Sequence, residues 1–210
     1  MIDIILADDH AMLREGLRRK FDDMTEFHVV GEAGSAAELM TLLPLSPHPV
    51  ILLDIKLPDE SGLRLIPRIK KQTPRSRVII LTMFNHVRYL QQAIEVGADG
   101  FVVKGAPFAE LIKAVHEVVN HRIYVCSEMV PHLATHIHRP SKGSALEGLS
   151  DREFEVLTLL TSGLTPQEVG ERLGINSKTV GTYRHRLMEK LELDSTADLV
   201  RFALENGIIS

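Results

Sequence analysis

The chain has 210 residues, of which 44% are hydrophobic and 25% charged, and its formal net charge is −4. These proportions are typical of an ordinary soluble globular protein of one or two domains. No apolar stretch reaches the length of a membrane-spanning helix, and the first residues do not have the pattern of a signal peptide. A single cysteine, Cys126, excludes an intrachain disulfide. We therefore expect a cytoplasmic protein and interpret Cys126 as structural.

The first 120 residues alternate short apolar runs with helical patterns about five times. Apolar runs of about four to six residues are typical of buried parallel strands. The alternation predicts an α/β domain with a doubly wound, five-stranded parallel sheet and helices on both faces. The predicted strands are 2–7, 28–33, 49–53, 77–82 and 100–103, and the predicted helices are 10–23, 36–43, 62–71, 86–96 and 107–120.

Ionisable side chains directly follow three of the predicted strands. Asp8 and Asp9 follow the first strand, Asp54 follows the third and Lys104 follows the fifth. In an open α/β sheet, ligands bind at the carboxyl ends of the strands, so we expect three carboxylates and one ammonium group at one edge. Carboxylate oxygens are ligands that suit Mg²⁺. The set therefore predicts a site for a divalent cation and a phosphoryl group.

Asp54 is the candidate nucleophile, because a carboxylate can attack phosphorus and hold the phosphoryl group as a mixed anhydride. Lys104 would supply the counter-charge for one phosphoryl oxygen. Thr82, at the end of the fourth strand, would donate a hydrogen bond to another oxygen. Each residue alone could be a structural cap or turn residue, but their combination at several strand ends favours a site.

Residues 121–146 interrupt the alternation and are interpreted as a linker, with a possible short helix at 127–137 and a flexible stretch at 138–145. His132, His136 and His138 have spacings that could bind zinc, but solvated linker histidines are the favoured interpretation. Residues 147–210 read as a small all-α domain that opens with a capping box at Ser150 and Glu153. The predicted helices are 151–162, 166–173, 177–191 and 195–206.

Residues 166–190 have the pattern of a helix-turn-helix, with Gly174 in the turn and Ser177 as the predicted cap of the second helix. The domain carries seven Lys/Arg against eleven Asp/Glu. Its second helix nevertheless combines a basic stretch with an apolar face opposite a polar one, so it can enter a major groove. The apolar face is Val180, Leu187 and Leu191, the polar face is Lys178, Gly181, Thr182 and His185, and the basic residues are Lys178, Arg184, Arg186 and Lys190.

The first 120 residues resemble the receiver domain of bacterial two-component response regulators, which has a flavodoxin-like fold. The motifs that carry the resemblance are Leu6-Ala7-Asp8-Asp9-His10, Leu53-Asp54-Ile55-Lys56-Leu57-Pro58, Leu81-Thr82 and Gly97-Ala98-Asp99-Gly100-Phe101-Val102-Val103-Lys104. Many receivers carry Pro directly after the Lys, whereas Gly105-Ala106-Pro107 follows it here.

The resemblance implies that Asp54 accepts a phosphoryl group from a phosphohistidine of a sensor histidine kinase, and that Mg²⁺ is the cofactor. It implies Thr82 and Phe101 as the switch pair, although plain core packing is an alternative for Phe101. The implied metal ligands are Asp9, Asp54, Asp8 through water, and the backbone carbonyl of Lys56.

Residues 147–210 resemble the LuxR-type helix-turn-helix, so the whole chain is similar to a response regulator of the NarL/FixJ class. The covering motifs are Leu149-Ser150-Asp151-Arg152-Glu153-Phe154-Glu155-Val156-Leu157, Ser177-Lys178-Thr179-Val180-Gly181-Thr182-Tyr183-Arg184 and Met188-Glu189-Lys190-Leu191. The implied base-facing positions are Gly181, Thr182 and His185, and the implied phosphate contacts are Lys178, Thr179, Tyr183, Arg184 and Arg186.

The chain departs from many LuxR-type members at two positions in the second helix of the helix-turn-helix. Many members carry Lys or Glu where this chain has Gly181, and His where it has Tyr183, for which a half-buried core position is an alternative. We expect phosphorylation to favour a homodimer that forms through the face of 86–96, 100–103 and 107–120. This homodimer would bind double-stranded promoter DNA.

Two other functions are compatible with parts of the pattern. The first is a constitutive DNA-binding protein whose receiver only docks other proteins, which the complete set of site residues argues against. The second is a Mg²⁺-dependent phosphohydrolase of small substrates. That chemistry needs a general acid–base near the nucleophile, and Lys56 stands where a second Asp would be expected. We therefore expect no enzyme beyond self-phosphorylation and autodephosphorylation at Asp54.

Overall fold

The structure is a computed structural model that describes residues 1–83, 85–130, 145–206 and 208–209. The chain folds into two compact units, Met1–His138 and Arg139–Ser210. Within these described ranges, no helix has both the length and the apolar character needed to cross a bilayer.

A parallel sheet with the strand order β2-β1-β3-β4-β5-β6 forms the centre of the first unit. All residues of β3 and β5 are buried, as expected for strands that are covered on both faces. The doubly wound α/β fold is thus confirmed. The strands are β1 (Ile2–Ala7), β2 (Phe27–Ala33), β3 (Val50–Leu53), β4 (Arg77–Thr82), β5 (Gly100–Val103) and β6 (Tyr124–Val125), and the helices are α1 (Ala11–Asp22), α2 (Ala36–Leu42), α3 (Gly62–Gln72), α4 (Val87–Glu95) and α5 (Phe108–Val119).

The predicted number of strands, five, was wrong, because the described sheet contains a sixth. Strand β6 pairs in parallel with β5, Gly100 opposite Tyr124 and Phe101 opposite Val125. It has two residues, which is too short for an alternating or continuous apolar pattern to be recognised. The edge of the sheet next to β5 is therefore covered by the first residues of the segment that the sequence indicated as a linker.

The segment after β6 differs in part from the predicted helix at 127–137. A 3₁₀ helix spans Ser127–Met129, and the side chain of Met129 is fully buried. Residues 131–137 of the predicted helix lie outside the described residues, as do His132, His136 and His138.

Four α-helices form the described part of the second unit, which confirms the all-α prediction. They are α6 (Asp151–Thr161), α7 (Pro166–Leu173), α8 (Ser177–Leu191) and α9 (Thr196–Glu205). The capping box of Ser150 and Glu153 begins α6 as predicted, and Thr165 with Glu168 forms a second one before α7. Both boxes satisfy backbone N–H groups that the first turn of a helix leaves without partners.

The helix-turn-helix is formed by α7 and α8. Gly174 adopts a left-handed conformation (φ 65°) at the end of α7, as the turn requires. A side chain at Gly170 would place its Cβ 2.6 Å from the backbone oxygen of Ile175, so the turn packs against α7 only because this residue is glycine. The predicted cap of α8 was wrong by one position. Asn176 accepts the hydrogen bond from the N–H of Thr179, and Ser177 is the first helical residue.

Candidate functional site

The carboxyl ends of β1 and β3 bring the predicted acidic residues together. Ligand atoms of Asp8, Asp9, His10 and Asp54 lie within 4.8 Å of one another. Asp8 and Asp54 are almost completely buried, whereas Asp9 and His10 are exposed. The cluster therefore has a buried floor and a side that solvent can reach.

Lys104 lies directly over this floor. Its Nζ is 2.6 Å from Oδ2 of Asp54 and 2.7 Å from Oδ2 of Asp8, and all three side chains are about 5% exposed or less. Burial raises the pKa of the Asp54 carboxyl, and the opposing effect of Lys104 does not cancel it. Burial would lower the pKa of Lys104, but the two carboxylates outweigh it and the pKa of the ammonium group is raised. The charged ion pair is thus held in a place where water solvates it poorly.

The backbone around Asp54 is fixed by tight packing. Its N–H donates to the backbone oxygen of Ala7 at 2.8 Å, and the N–H of Lys56 donates to its carboxylate. Helix α3 begins immediately beneath it, since a Cβ at Gly62 would lie only 2.0 Å from the Asp54 backbone oxygen. Only glycine permits this approach, which holds the candidate nucleophile in place.

The two candidate switch residues are both buried at the neighbouring strands. Thr82 is 0% exposed and Phe101 is 1% exposed. The backbone N–H of Lys104 donates to the oxygen of Thr82 at 2.7 Å, so the ends of β4 and β5 are joined at the site. The structure therefore places Thr82 and Lys104 beside each other, and it places Phe101 inside the sheet layer.

Two side chains at the acidic edge were not assigned a role from the sequence. Nδ1 of His10 lies 2.6 Å from Asp9 and 3.0 Å from Asp8, and its position directly after the acidic pair was the available signal. Arg14 donates to the backbone oxygen of Asp8. A contact between the second turn of a helix and the loop before it has no sequence pattern of its own, so sequence reasoning missed it.

The donor set fits a magnesium ion. Three carboxylates, two of them buried and one exposed, converge within one ion's reach. Magnesium binds through one or two carboxylates and keeps water and phosphate oxygens in its remaining positions. The open side at Asp9 leaves room for such ligands.

Helix α8 presents the predicted faces. Val180, Leu187 and Leu191 are buried, which confirms the apolar face. The predicted DNA-contacting side chains lie on the other side. Those that are exposed are Lys178, Thr182, Arg184, His185 and Arg186, and those that are partly exposed are Thr179 and Tyr183.

Two residues of α8 depart from a simple reading surface. Gly181 is exposed, and a Cβ there would meet no described heavy atom within 4 Å beyond the neighbouring backbone of its own helix. Lys190, counted in the basic stretch, instead donates to the Glu153 carboxylate at 2.7 Å and to the Gly148 backbone oxygen at 3.1 Å. Its ammonium group therefore holds α8 to the start of α6.

A parallel α/β domain with an acidic edge, followed by a helix-turn-helix domain, defines a two-component response regulator with a DNA-binding output domain. Residues 4–116 match the response regulator receiver domain, and residues 147–203 match the bacterial regulatory proteins of the luxR family. The chain belongs to the response regulators of the NarL/FixJ class, which are transcription regulators of two-component systems.

Relatives match over nearly the whole length. The chain is 30% identical over 209 residues to the response regulator UvrY of Escherichia coli (strain K12), covering 99% of this chain and 96% of UvrY. It is 30% identical over 210 residues to GacA of Pseudomonas protegens, covering 100% of this chain and 98% of GacA.

Solved structures of RcsB are also similar. RcsB of Salmonella typhimurium matches with a TM-score of 0.60 and 26% identity, covering 96% of this chain and 97% of RcsB. A structure of two RcsB dimers bound to two parallel DNAs matches with a TM-score of 0.61 and 26% identity, covering 98% of each chain.

Proposed function

We propose that Asp54 is the phosphoacceptor of this response regulator and that its phosphorylation by a sensor histidine kinase controls DNA binding in the cytoplasm. The observation that carries the proposal is the Lys104 ammonium group, held 2.6 Å from Asp54 and 2.7 Å from Asp8. A buried lysine between two carboxylates of an acidic triad is a preorganised partner for a group that brings further negative charge.

The chemistry is a phosphoryl transfer to a carboxylate. A carboxylate oxygen of Asp54 bonds to phosphorus while the bond between phosphorus and a ring nitrogen of the kinase's phosphohistidine breaks, and that nitrogen keeps the electron pair. Mg²⁺, held by Asp9, Asp54, Asp8 through water and the backbone carbonyl of Lys56, would neutralise charge on the phosphoryl oxygens. Hydrolysis of the mixed anhydride by water restores the carboxylate, so catalysis is limited to this residue.

Lys104 and Thr82 are the residues of this chain that respond to the modification. The transferred group adds phosphoryl oxygens to Asp54, and Lys104 then pairs with one of them in place of the free carboxylate. The Thr82 hydroxyl donates to another oxygen, and Phe101 on the adjacent strand completes the switch pair. The change thereby reaches the ends of β4 and β5, which share the hydrogen bond from Lys104 to Thr82.

The output is binding of double-stranded promoter DNA by a homodimer. Helix α8 has its charged and polar side chains exposed opposite a buried apolar face, as a recognition helix requires. We assign base contacts to Thr182 and His185, and phosphate contacts to Lys178, Thr179, Tyr183, Arg184 and Arg186. The structure of RcsB dimers on DNA supports a dimeric arrangement. Two helices would occupy half-sites about 10 bp apart.

The proposed boundaries are a receiver at 1–120, a linker at 121–146 and a DNA-binding domain at 147–210. The linker joins the two functions, and a dimer of receivers raises the effective concentration of the second DNA-binding domain at its half-site.

Intact mass and light scattering test the proposal. Wild type treated with acetyl phosphate and Mg²⁺ should gain the mass of one phosphoryl group, and beryllofluoride with Mg²⁺ should convert it to a dimer that binds DNA more tightly. Asp54→Ala should show neither effect. Asp59→Ala is the matched control, because the Asp59 carboxylate accepts hydrogen bonds from Ala36 and Ala37 outside the acidic cluster and its loss should leave the response intact. An unchanged mass in wild type, or an equal gain in Asp54→Ala, would refute the assignment.

A further inference from the structure

The first residues after α5 are bound to the strand that carries the switch residue. The N–H of Tyr124 donates to the backbone oxygen of Asp99, and the N–H of Cys126 donates to that of Phe101, each at 3.0 Å. Strand β5 thus lies between β4, which ends in Thr82, and β6, which begins the segment toward the second unit. Phe101 shares a hydrogen bond with the chain that leads to the DNA-binding domain.

A side-chain contact holds this short strand in place. The Tyr124 hydroxyl donates to Oε2 of Glu110 at 2.5 Å, and the N–H of Ser127 donates to the same oxygen at 3.2 Å. These hydrogen bonds lower the pKa of the Glu110 carboxyl, so it is charged at neutral pH. Cys126 and Met129, at the inner side of the segment, are both 0% exposed. One carboxylate in the first turn of α5 therefore ties two points of the segment to the receiver.

Strand β6 needs this contact because its pairing with β5 is short. Two residue pairs, Gly100 with Tyr124 and Phe101 with Val125, join it to β5, and a strand of two residues gains little from packing along its length. An isolated strand of this size would exchange between paired and unpaired states. Its attachment to β5 is therefore sensitive to small changes, either in the Glu110 contact or in the position of β5.

We propose that Glu110 and Tyr124 are positioning residues of the switch, which hold β6 on the backbone of Phe101 so that the phosphorylation state of Asp54 alters the start of the interdomain segment. The proposal rests on the proposed function. Lys104 and Phe101 lie on the same strand-and-loop unit, so any shift of β5 when Lys104 pairs with a phosphoryl oxygen changes the partner of β6 directly. The receiver then transmits its state through a two-position equilibrium of β6.

Hydrogen exchange on the full chain tests this coupling. Exchange in residues 124–129 is measured with Mg²⁺, with and without beryllofluoride, in wild type, Glu110→Ala, Glu110→Gln and Tyr124→Phe. The matched control is Glu117→Ala, because Glu117 lies on the same helix and pairs with Arg122 of the same segment, but on the exposed surface. DNA affinity with and without beryllofluoride is measured for each variant.

Beryllofluoride should change exchange at Cys126 in wild type. In Glu110→Ala, exchange across 124–129 should be about tenfold or more faster, since a hydrogen bond to a charged group is lost, and the beryllofluoride-dependent gain in DNA affinity should shrink. Tyr124→Phe should show a smaller change in the same direction, Glu110→Gln should recover part of the response, and Glu117→Ala should match wild type. If Glu110→Gln recovers part of the beryllofluoride response that Glu110→Ala loses, Glu110 acts by accepting hydrogen bonds that position β6, and not by general packing.

Two outcomes would overturn the coupling. In the first, beryllofluoride changes exchange near Thr82 and Lys104 in wild type but leaves 124–129 unaffected. In the second, Glu110→Ala loosens 124–129 while the gain in DNA affinity keeps its full size. If beryllofluoride changes exchange nowhere in the receiver, the proposed function itself fails, and the two failures are thus distinguishable.

Discussion

Each unit of the chain holds a lysine against a buried carboxylate, but the two sites are completed in different ways. In the second unit, Glu153 accepts hydrogen bonds from the N–H of Ser150 at 2.8 Å, the Ser150 hydroxyl at 2.9 Å and Lys190 at 2.7 Å. Its pKa is lowered, because these donors together outweigh its burial. In the receiver, burial raises the pKa of Asp54, and Lys104, which opposes this effect, is shared with the Asp8 carboxylate.

The difference separates a structural contact from a site that can change. Three donors of the chain converge on Oε2 of Glu153, and Lys190 neutralises the charge of the carboxylate. The receiver cluster has more negative charge than its lysine neutralises, which is the charge balance that the proposed Mg²⁺ would complete. A buried lysine–carboxylate pair does not by itself indicate a functional site. The number of partners around the carboxylate distinguishes a functional site from a structural contact.

The largest effect is expected from Lys104→Met. It leaves the Asp54 and Asp8 carboxylates close together and almost fully buried with no cation between them. We expect the receiver to lose about 3 kcal/mol of unfolding free energy in EDTA, by analogy with broken buried pairs, and Mg²⁺ to restore much of it. Chemical denaturation, monitored by the hydrogen exchange of residues 1–120, measures this loss of unfolding free energy. A loss that is the same with and without Mg²⁺ would show that the cluster does not bind the ion.

Lys190→Met should have a smaller effect that does not depend on Mg²⁺. Glu153 keeps its two hydrogen bonds from Ser150, and Lys190 is 43% exposed, so water replaces part of the lost contact. We expect the second unit to lose about 1 kcal/mol, with unchanged receiver stability, in the same denaturation experiment. A loss as large as that of Lys104→Met would mean that the two lysine sites are energetically alike.

The pH dependence of the second unit tests the same carboxylate. The pKa of Glu153 is lower in the folded state than in the unfolded chain, so the unfolded state takes up the proton more readily. Its contribution to stability is present above the ordinary Glu pKa of about 4.3 and is lost as the pH falls through the lower folded value. Glu153→Gln should flatten the stability curve in this acid range.

Glu168→Gln provides the control for that measurement, because Glu168 forms the same capping box with Thr165 but is exposed and pairs with no lysine among the described residues. Its substitution should change the acid slope less. Thermal unfolding of the second unit between pH 3 and 7, recorded for wild type and both variants, makes the comparison. Equal slopes for the two variants would show that burial and Lys190 add nothing to the capping box.

The receiver site was predictable because its residues obey a rule about strand ends. Asp8, Asp54 and Lys104 each follow a continuous apolar run, and parallel strands end at one edge, so their meeting did not depend on details of packing. Roles for His10 and Arg14 were missed because their contacts depend on how α1 leaves the sheet.

Local alternatives explain the other differences. Asn176 and Ser177 are both good helix caps in adjacent positions, and only the backbone geometry decides between them. Strand β6 has two residues and no period, and its pairing depends on the return of the chain after α5. Element type followed from pattern, while exact ends and an edge strand depended on tertiary contacts.

The smallest effect is expected from Gly181→Ala in the helix-turn-helix. Here too, a position that packing requires can be compared with one that it does not require. Gly170 is required by packing, since its Cβ would lie 2.6 Å from the Ile175 oxygen. A Cβ at Gly181 would meet no described atom within 4 Å beyond the neighbouring backbone of its own helix. An exposed glycine inside a helix costs about 0.5–1 kcal/mol relative to alanine. Gly181→Ala should therefore stabilise the second unit by about that amount in thermal unfolding, and Gly170→Ala should destabilise it. Because alanine adds no group that can hydrogen-bond to a base edge, the preferred DNA sequence should stay the same. A loss of DNA affinity in the more stable Gly181→Ala variant would show instead that the DNA backbone or bases approach α8 closely at this position.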